Sequence, residues 1–142
     1  GNSAFGIYTL LISPDVGLCS IQAFGNKELT DDNYGINLRS KIDELKSSLD
    51  SIYGEGKKTD TLMPGSVWSE PQDWMMGVYK NERQYNAIWY TSNEAMQKNK
   101  LRDIYLGARA ENGSKGIMLL QYDFVNSETC AKEAKEAQKA SL

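Results

Sequence analysis

The side chains that could carry chemistry in this chain gather in one segment, Leu62 to Tyr90. It contains Glu70, Asp73 and Glu82, with Arg83 adjacent, among all three tryptophans: Trp68, Trp74 and Trp89. Two acids in an aromatic cleft could hydrolyse a glycosidic bond, one of them held protonated by an apolar wall. The plainer reading needs no chemistry. Asp73 near a helix start complements the helix dipole, and Glu82 with Arg83 forms a charge pair at a helix end. No nucleophile and base can be paired from the sequence. The chain has no histidine, which removes Ser-His-Asp and Cys-His catalysis and the commonest zinc ligand.

The aromatic set offers a second use. Trp68, Trp74, Tyr79, Tyr85, Trp89 and Tyr90 could stack sugars or peptides, since Trp and Tyr make good interface anchors. They could equally be core, because Trp is highly buried on average. Trp74 lies on the apolar side of a short helix and Trp89 on one face of a strand, so both read as core. Trp68 lies between Pro64 and Pro71 in a turn-rich stretch and is the tryptophan expected to be exposed. The candidate binding residues are therefore Trp68, Glu70, Asp73, Tyr79 and Arg83.

No cofactor or metal is implied. Neither G-x-G-x-x-G nor G-K-[ST] precedes a helix. Asp31-Asp32-Asn33 lacks the spaced ligands and closing Glu of a calcium loop. Sixteen basic and nineteen acidic residues give a net charge of −3, with the lysines and arginines scattered. That balance argues against nucleic acid, which needs clustered cations. No apolar run approaches the roughly 20 residues of a membrane span. Asn112-Gly113-Ser114 matches a glycosylation acceptor, a pattern common by chance.

Cys19 and Cys130 form no C-x-x-C motif. A bridge between them would tie the last helix to an early strand, and closing a loop of about 100 residues contributes roughly 4.7 kcal/mol in the chain-entropy model. The alternatives are two buried free thiols, or a Cys130 thiolate activated by the nearby helix start. The thin apolar face of the terminal helix favours the bridge.

These side chains must be held by an α+β arrangement. At 142 residues, 40% hydrophobic and 25% charged, one globular domain over 1–142 is expected. Residues 5–12 and 16–24 read as a hairpin joined by the turn chemistry of Ser13-Pro14-Asp15. A polar loop follows over 25–37. Leu38, Ile42, Leu45, Leu49 and Ile52 place one apolar stripe on a helix over 38–53, with Asn37 as its N-cap and Gly54 as its stop. Gly54 to Lys58 reads as a flexible exit. Asp73 to Lys80 reads as a short helix and 84–91 as a strand. Residues 92–101 read as a polar connection with room for a helical turn. Residues 102–111 alternate, with Ile104, Leu106, Ala108 and Ala110 on one face and Tyr105, Gly107 and Arg109 on the other. Gly107 inside this strand marks a bulge or close packing. A glycine-rich loop leads to a last strand over 117–124. Ser127 caps a final helix over 128–140. The expected order is β-β-α-(α)-β-β-β-α, an antiparallel sheet of about five strands with helices mainly on one face.

The run Gly65-Ser66-Val67-Trp68 with Glu70-Pro71-Gln72-Asp73-Trp74-Met75-Met76, then Glu82-Arg83 and Trp89, resembles small bacterial secreted or lipoprotein domains of no assigned function. The resemblance extends from Val16-Gly17-Leu18-Cys19 to Cys130 and carries no active site to transfer. It implies an extracytoplasmic location, periplasmic or membrane-anchored, with envelope association; a cytoplasmic location is the alternative. The chain begins Gly1-Asn2-Ser3-Ala4 without Met, which fits a removed leader or a tag remnant at Gly1. The functional expectation is an exported binding or interaction module for a protein or small-molecule ligand. The alternatives are a small hydrolase using the carboxylates near the Trp-rich segment and a structural envelope component.

Overall fold

The computed structural model describes residues 5–26, 32–90 and 94–141. Gly1, part of the 25–37 loop and the end of the 84–91 strand lie outside them. The elements run β1 (Phe5–Ser13), β2 (Gly17–Gly25), α1 (Ile36–Tyr53), β3 (Lys57–Leu62), a 3-10 turn (Pro71–Asp73), α2 (Trp74–Tyr79), β4 (Arg83–Tyr90), α3 (Glu94–Lys98), β5 (Leu101–Ala110), β6 (Gly116–Phe124) and α4 (Ser127–Ala140). The six strands form one antiparallel sheet in the order β1-β2-β6-β5-β4-β3.

The α+β class and the antiparallel sheet are as expected, but the strand number and order are not. Lys57 to Leu62, of which Lys57 and Lys58 read from sequence as the end of a flexible exit, is an edge strand paired to β4 from Lys57↔Ile88 to Leu62↔Arg83. An edge strand buries little, so KKTDTL needs no apolar alternation and shows none. The polar connection before β5 contains α3, docked by the fully buried Met96.

Strand alternation sorts the sheet into two faces. Tyr85, Ala87 and Trp89 of β4, Ile104, Leu106 and Ala108 of β5, and Met118 and Leu120 of β6 are buried and share one face through the cross-strand register. Helices α1, α2 and α3 cover it over β4, β5 and β6. Helix α1 contributes Leu38, Ile42 and Leu49; its stripe ends before the last turn, leaving Ile52 58% exposed. Its start is held by Asp32, whose carboxylate accepts from the Tyr34 and Ile36 amides at 3.0 Å each, rather than by Asn37. Its end is closed by Gly54 at φ 84°, which donates to Asp50 O.

Trp74 and Trp89 both close this core, at 4% and 2% exposure. Each ring lies against a glycine. A Cβ on Gly35 would sit 2.1 Å from Trp74, and one on Gly56 would sit 2.4 Å from Trp89, so no other residue fits at either place. Gly35 also has φ 67°, which favours glycine independently.

Cys19 and Cys130 are joined in a disulfide with Cα atoms 6.2 Å apart. It ties α4 to β2. The helix contacts β1 and β2, and Cys130 is its sole buried residue. Three helices thus cover one face while α4 sits at the β1–β2 end of the other. Residue 127 does not cap α4: Asn126 precedes the helix without a side-chain cap bond, and Ser127 Oγ is buried without a hydrogen-bond partner among the described residues. With neither a cap nor an apolar face, α4 depends on its staple.

Candidate functional site

The second face of the sheet is where polar and aromatic side chains converge. Register places Gln84, Asn86, Ile88 and Tyr90 of β4, Asp103, Tyr105, Gly107 and Arg109 of β5, and Ile117, Leu119, Gln121 and Asp123 of β6 together there, with Ile117 and Leu119 buried. No helix other than α4, at the far end, packs on this face among the described residues.

Three grooves follow one another across it. The first, about 400 Å³, takes in residues of both faces: Tyr79, Arg83 and Tyr85 from the helix-covered side, and Asn86, Tyr105 and Arg109 from this one. It shares Ile88, Tyr105 and Arg109 with a second of about 320 Å³ that reaches Tyr90, Asp103, Gln121 and Asp123. Gln121 and Asp123 continue into a third of about 450 Å³ beneath α4, where Gln22, Arg102 and Ser127 join them.

Gly107 creates the depression at the centre. A Cβ there would fall 2.3 Å from Tyr105 Oη and 2.8 Å from Asn86 Cβ. The missing side chain lets the Tyr105 ring fold down along the sheet. Of the two readings of Gly107, close packing is the correct one: the register through it is regular, without a bulge. Arg109 then stacks 5.1 Å above the Tyr105 ring and donates from Nη1 to its hydroxyl at 2.8 Å. The guanidinium is thereby pre-positioned with donors left over for a ligand. Arg83 lines the same groove, and its Nε is buried with no hydrogen-bond partner among the described residues.

Beside this cationic and aromatic half lies an acidic and amide half. Asp103 and Asp123 are directly opposite on β5 and β6. Burial pushes the Asp103 carboxyl above its ordinary range. Arg102 pulls it back through a hydrogen bond at 3.0 Å, and the facing Asp123 pushes it up again. Arg102 also reaches Asp123 at 3.8 Å and Glu128 of α4 at 3.6 Å. Gln121 donates to Asp123 at 3.0 Å and accepts from Gln22 at 2.8 Å. The face thus passes from a cationic and aromatic half at Arg109 and Tyr105 to an acidic and amide half at Asp103, Gln121 and Asp123.

Of the residues singled out from sequence, two line the first groove: Tyr79 of α2, at 46% exposure, and Arg83, which shares the helix-covered side of β4 with Tyr85. Glu70 is exposed and precedes the 3-10 turn, where its carbonyl accepts from the Asp73 amide at 2.9 Å. Asp73 is half-buried at the start of α2 and makes no cap bond with its side chain. Neither carboxylate lines any of the three grooves. Trp68 is half-buried rather than exposed: its Cβ lies 3.7 Å from a Cβ built on Gly77, next to Arg83. It packs by Gly77 of α2 and lines none of the grooves.

Asn86, Asp103, Tyr105, Arg109, Gln121 and Asp123 are the residues that sequence reasoning passed over as a site. The alternation of residues 102–111 already puts Tyr105 and Arg109 on one face. A polar strand face is normally just solvated, however, and the strand pattern does not say which face the helices leave open. Among the described residues, no group of three or more His, Cys, Asp or Glu could hold a metal ion. No helix there is long and apolar enough to cross a membrane.

No family model, curated protein or solved structure matches this chain. The functional reading therefore rests on the geometry of the face.

Proposed function

We propose that the protein is an exported binding module whose ligand lies along the open sheet face, with Tyr79, Arg83, Tyr105 and Arg109 as its anchors. The observation that carries this reading is the stacked Tyr105–Arg109 pair over Gly107, at the point where two grooves share Ile88, Tyr105 and Arg109. Apolar rings with convergent polar groups are the ordinary equipment of a recognition site. The passage from a cationic to an acidic half favours a ligand with flat surface and polar groups of both kinds, such as a saccharide or an extended peptide segment.

Export is supported by the disulfide, a bond that persists in oxidising compartments, and by the resemblance to secreted and lipoprotein domains. It makes envelope association part of the same reading. The hydrolase alternative loses its motivation at Glu70 and Asp73, which stand outside the grooves. A structural role in the envelope has no particular observation in its favour.

The test is capture from envelope extract and from saccharide and peptide arrays, comparing the wild-type chain with Tyr105→Ser/Arg109→Ser. Both side chains are on the wet face, so the variant should fold and lose the ligand. Glu70→Ala should retain it. Equal capture by the Tyr105→Ser/Arg109→Ser variant would remove the open face as the binding surface.

A further inference from the structure

We infer that β1 is the seam of a homodimer, pairing antiparallel with β1 of a second copy to extend the sheet across a two-fold axis. This does not rest on the groove. It rests on the edge itself.

Strand β1 is the terminal strand of the sheet, and no described strand lies outside it. Its sequence, FGIYTLLIS, has no charge and no proline. Ile7, Tyr8, Leu10, Leu11 and Ile12 are 58%, 49%, 56%, 46% and 60% exposed, so apolar side chains are wet on both faces of the strand. Long, uncharged, apolar edges template the addition of another strand, and proteins normally guard them with Lys, Pro or inward charges. This protein does guard its other edge: β3 carries Lys57, Lys58 and Asp60. Leaving one edge bare while charging the other is what a chain built for one specific pairing would show.

The second copy suits this edge for three reasons. An antiparallel pair across a two-fold is isologous, so one patch serves both sides. An uncharged strand meets its own copy without like-charge repulsion. The area is that of a weak pair: edge-to-edge pairing covers the strand backbone and part of each of the five half-exposed side chains, which keeps it below about 1,200 Å² in total, in the range of transient complexes. Such a size fits association in the micromolar range.

The register follows from the irregularities. Pairing of β1 with β2 slips between Phe5 and Ile7 and again between Leu11 and Ile12, leaving Ile7 to Leu11 as the regular stretch. Its midpoint is Thr9. The two-fold therefore passes at Thr9, with Ile7 opposite Leu11 of the second copy and Tyr8 opposite Leu10 of the second copy. Aromatic–aliphatic pairs of this kind are favourable across strands.

Sedimentation equilibrium of the oxidised full chain tests it. The wild type should show a monomer–dimer equilibrium in the micromolar range. Thr9→Lys places two cations face to face and should weaken association by roughly tenfold or more. Thr9→Glu should do the same. Mixing the two should restore a heterodimer, because the charges then oppose each other at the axis. Thr59→Lys on the β3 edge should leave association unchanged. A monomeric wild type throughout this range, from which β1 would have to be covered by another chain or segment, overturns the proposal. So does a dimer indifferent to Thr9→Lys, or one lost in both variants and not restored by mixing. Circular dichroism and the intact disulfide mass confirm that each variant is folded. If a variant fails that check, the wild-type mass still decides.

Discussion

The two ends of the sheet are secured by different means. At the β3 end, polar and aromatic groups interlock. Trp89 Nε1 donates to Asp50 Oδ1 at 3.1 Å and to Gly54 O at 2.9 Å, while Asp50 also accepts from the Gly56 amide at 2.8 Å and from Lys46 at 2.7 Å. Nearby, the Tyr85 hydroxyl donates to Asp43, and Lys58 approaches the same carboxylate at 3.4 Å while lying 4.7 Å over the Tyr85 ring. Helix α1 is thereby fastened to β3 and β4 by directional contacts. At the β1 end the polar contacts on α4 among the described residues are sparser: Arg102 reaches Glu128 at 3.6 Å, and Asn126, just before the helix, donates to Val16 O at 2.8 Å. One covalent bond fastens α4, and the strand edge beyond it stays apolar and bare. The contrast teaches that a sheet edge can be finished within the chain or left to be finished by something else.

Removing the covalent fastening should have the largest effect. Cys19→Ala/Cys130→Ala is expected to lose about 2–5 kcal/mol in denaturant unfolding. Amide exchange should show α4 opening first, because only Cys130 is buried on it. If α4 stays protected in this variant, packing rather than the staple holds it, and the contrast between the ends fails.

The β3 end should respond to a single methyl group. Gly56→Ala drives a Cβ into the Trp89 indole and should cost about 1–3 kcal/mol through overpacking. The indole fluorescence of Trp89 should shift with it. A neutral effect would mean that this cluster is looser than its hydrogen bonds suggest.

Asp50 is the electrostatic centre of that end. Burial alone would raise its carboxyl, but the Lys46 ammonium, the Gly56 amide and the Trp89 indole hold it below its ordinary value. A depressed folded-state value gives stability that is fully present above the unfolded carboxylate range near 3.8 and is lost as pH falls through the folded value. Asp50→Asn should cost about 1–2 kcal/mol at neutral pH and flatten that acid limb. Chemical denaturation at stepped pH reads both.

Asp103 should show the opposite sign and the smallest size. Its raised carboxyl means that the folded state takes up a proton more readily than the unfolded chain. Its contribution is favourable below the unfolded value and is lost as pH rises through the folded one. Asp103→Asn should therefore stabilise the protein slightly near neutrality, by roughly a few tenths of a kcal/mol, since the group is only partly buried and Arg102 offsets much of the effect. Loss of stability in that variant would show that Arg102 outweighs burial and Asp123. The two carboxylates then separate a position tuned for folding from one kept on the wet face at some cost.

How much of this was legible in the sequence varies by element. The first hairpin was, because Ser13 supplies a turn whose hydroxyl accepts from the Asp15 and Val16 amides at 3.1 and 3.2 Å. So was α1, from the spacing of Leu38, Ile42 and Leu49. The cysteine pair was readable as one of three alternatives, with the bare face of α4 favouring the bond. Strand β3 was not readable, because an edge strand on a solvated rim carries no period-2 signal. Among the candidate site residues, Tyr79 and Arg83 fall in the groove while Glu70 and Asp73 do not. Closeness in sequence to Trp68 measured nothing about closeness in space.

The sequence by itself determined the class of fold, the helix and strand periodicities, the two core tryptophans and the absence of histidine chemistry. These depend on local spacing and on which side chains avoid water. Tertiary structure alone decided which sheet face stayed open, that Tyr105 folds over Gly107 beneath Arg109, that Trp68 packs by Gly77, and that β1 rather than β3 was left bare. Each of those depends on strand order and register, which bring together residues far apart in the chain, and no local pattern encodes them.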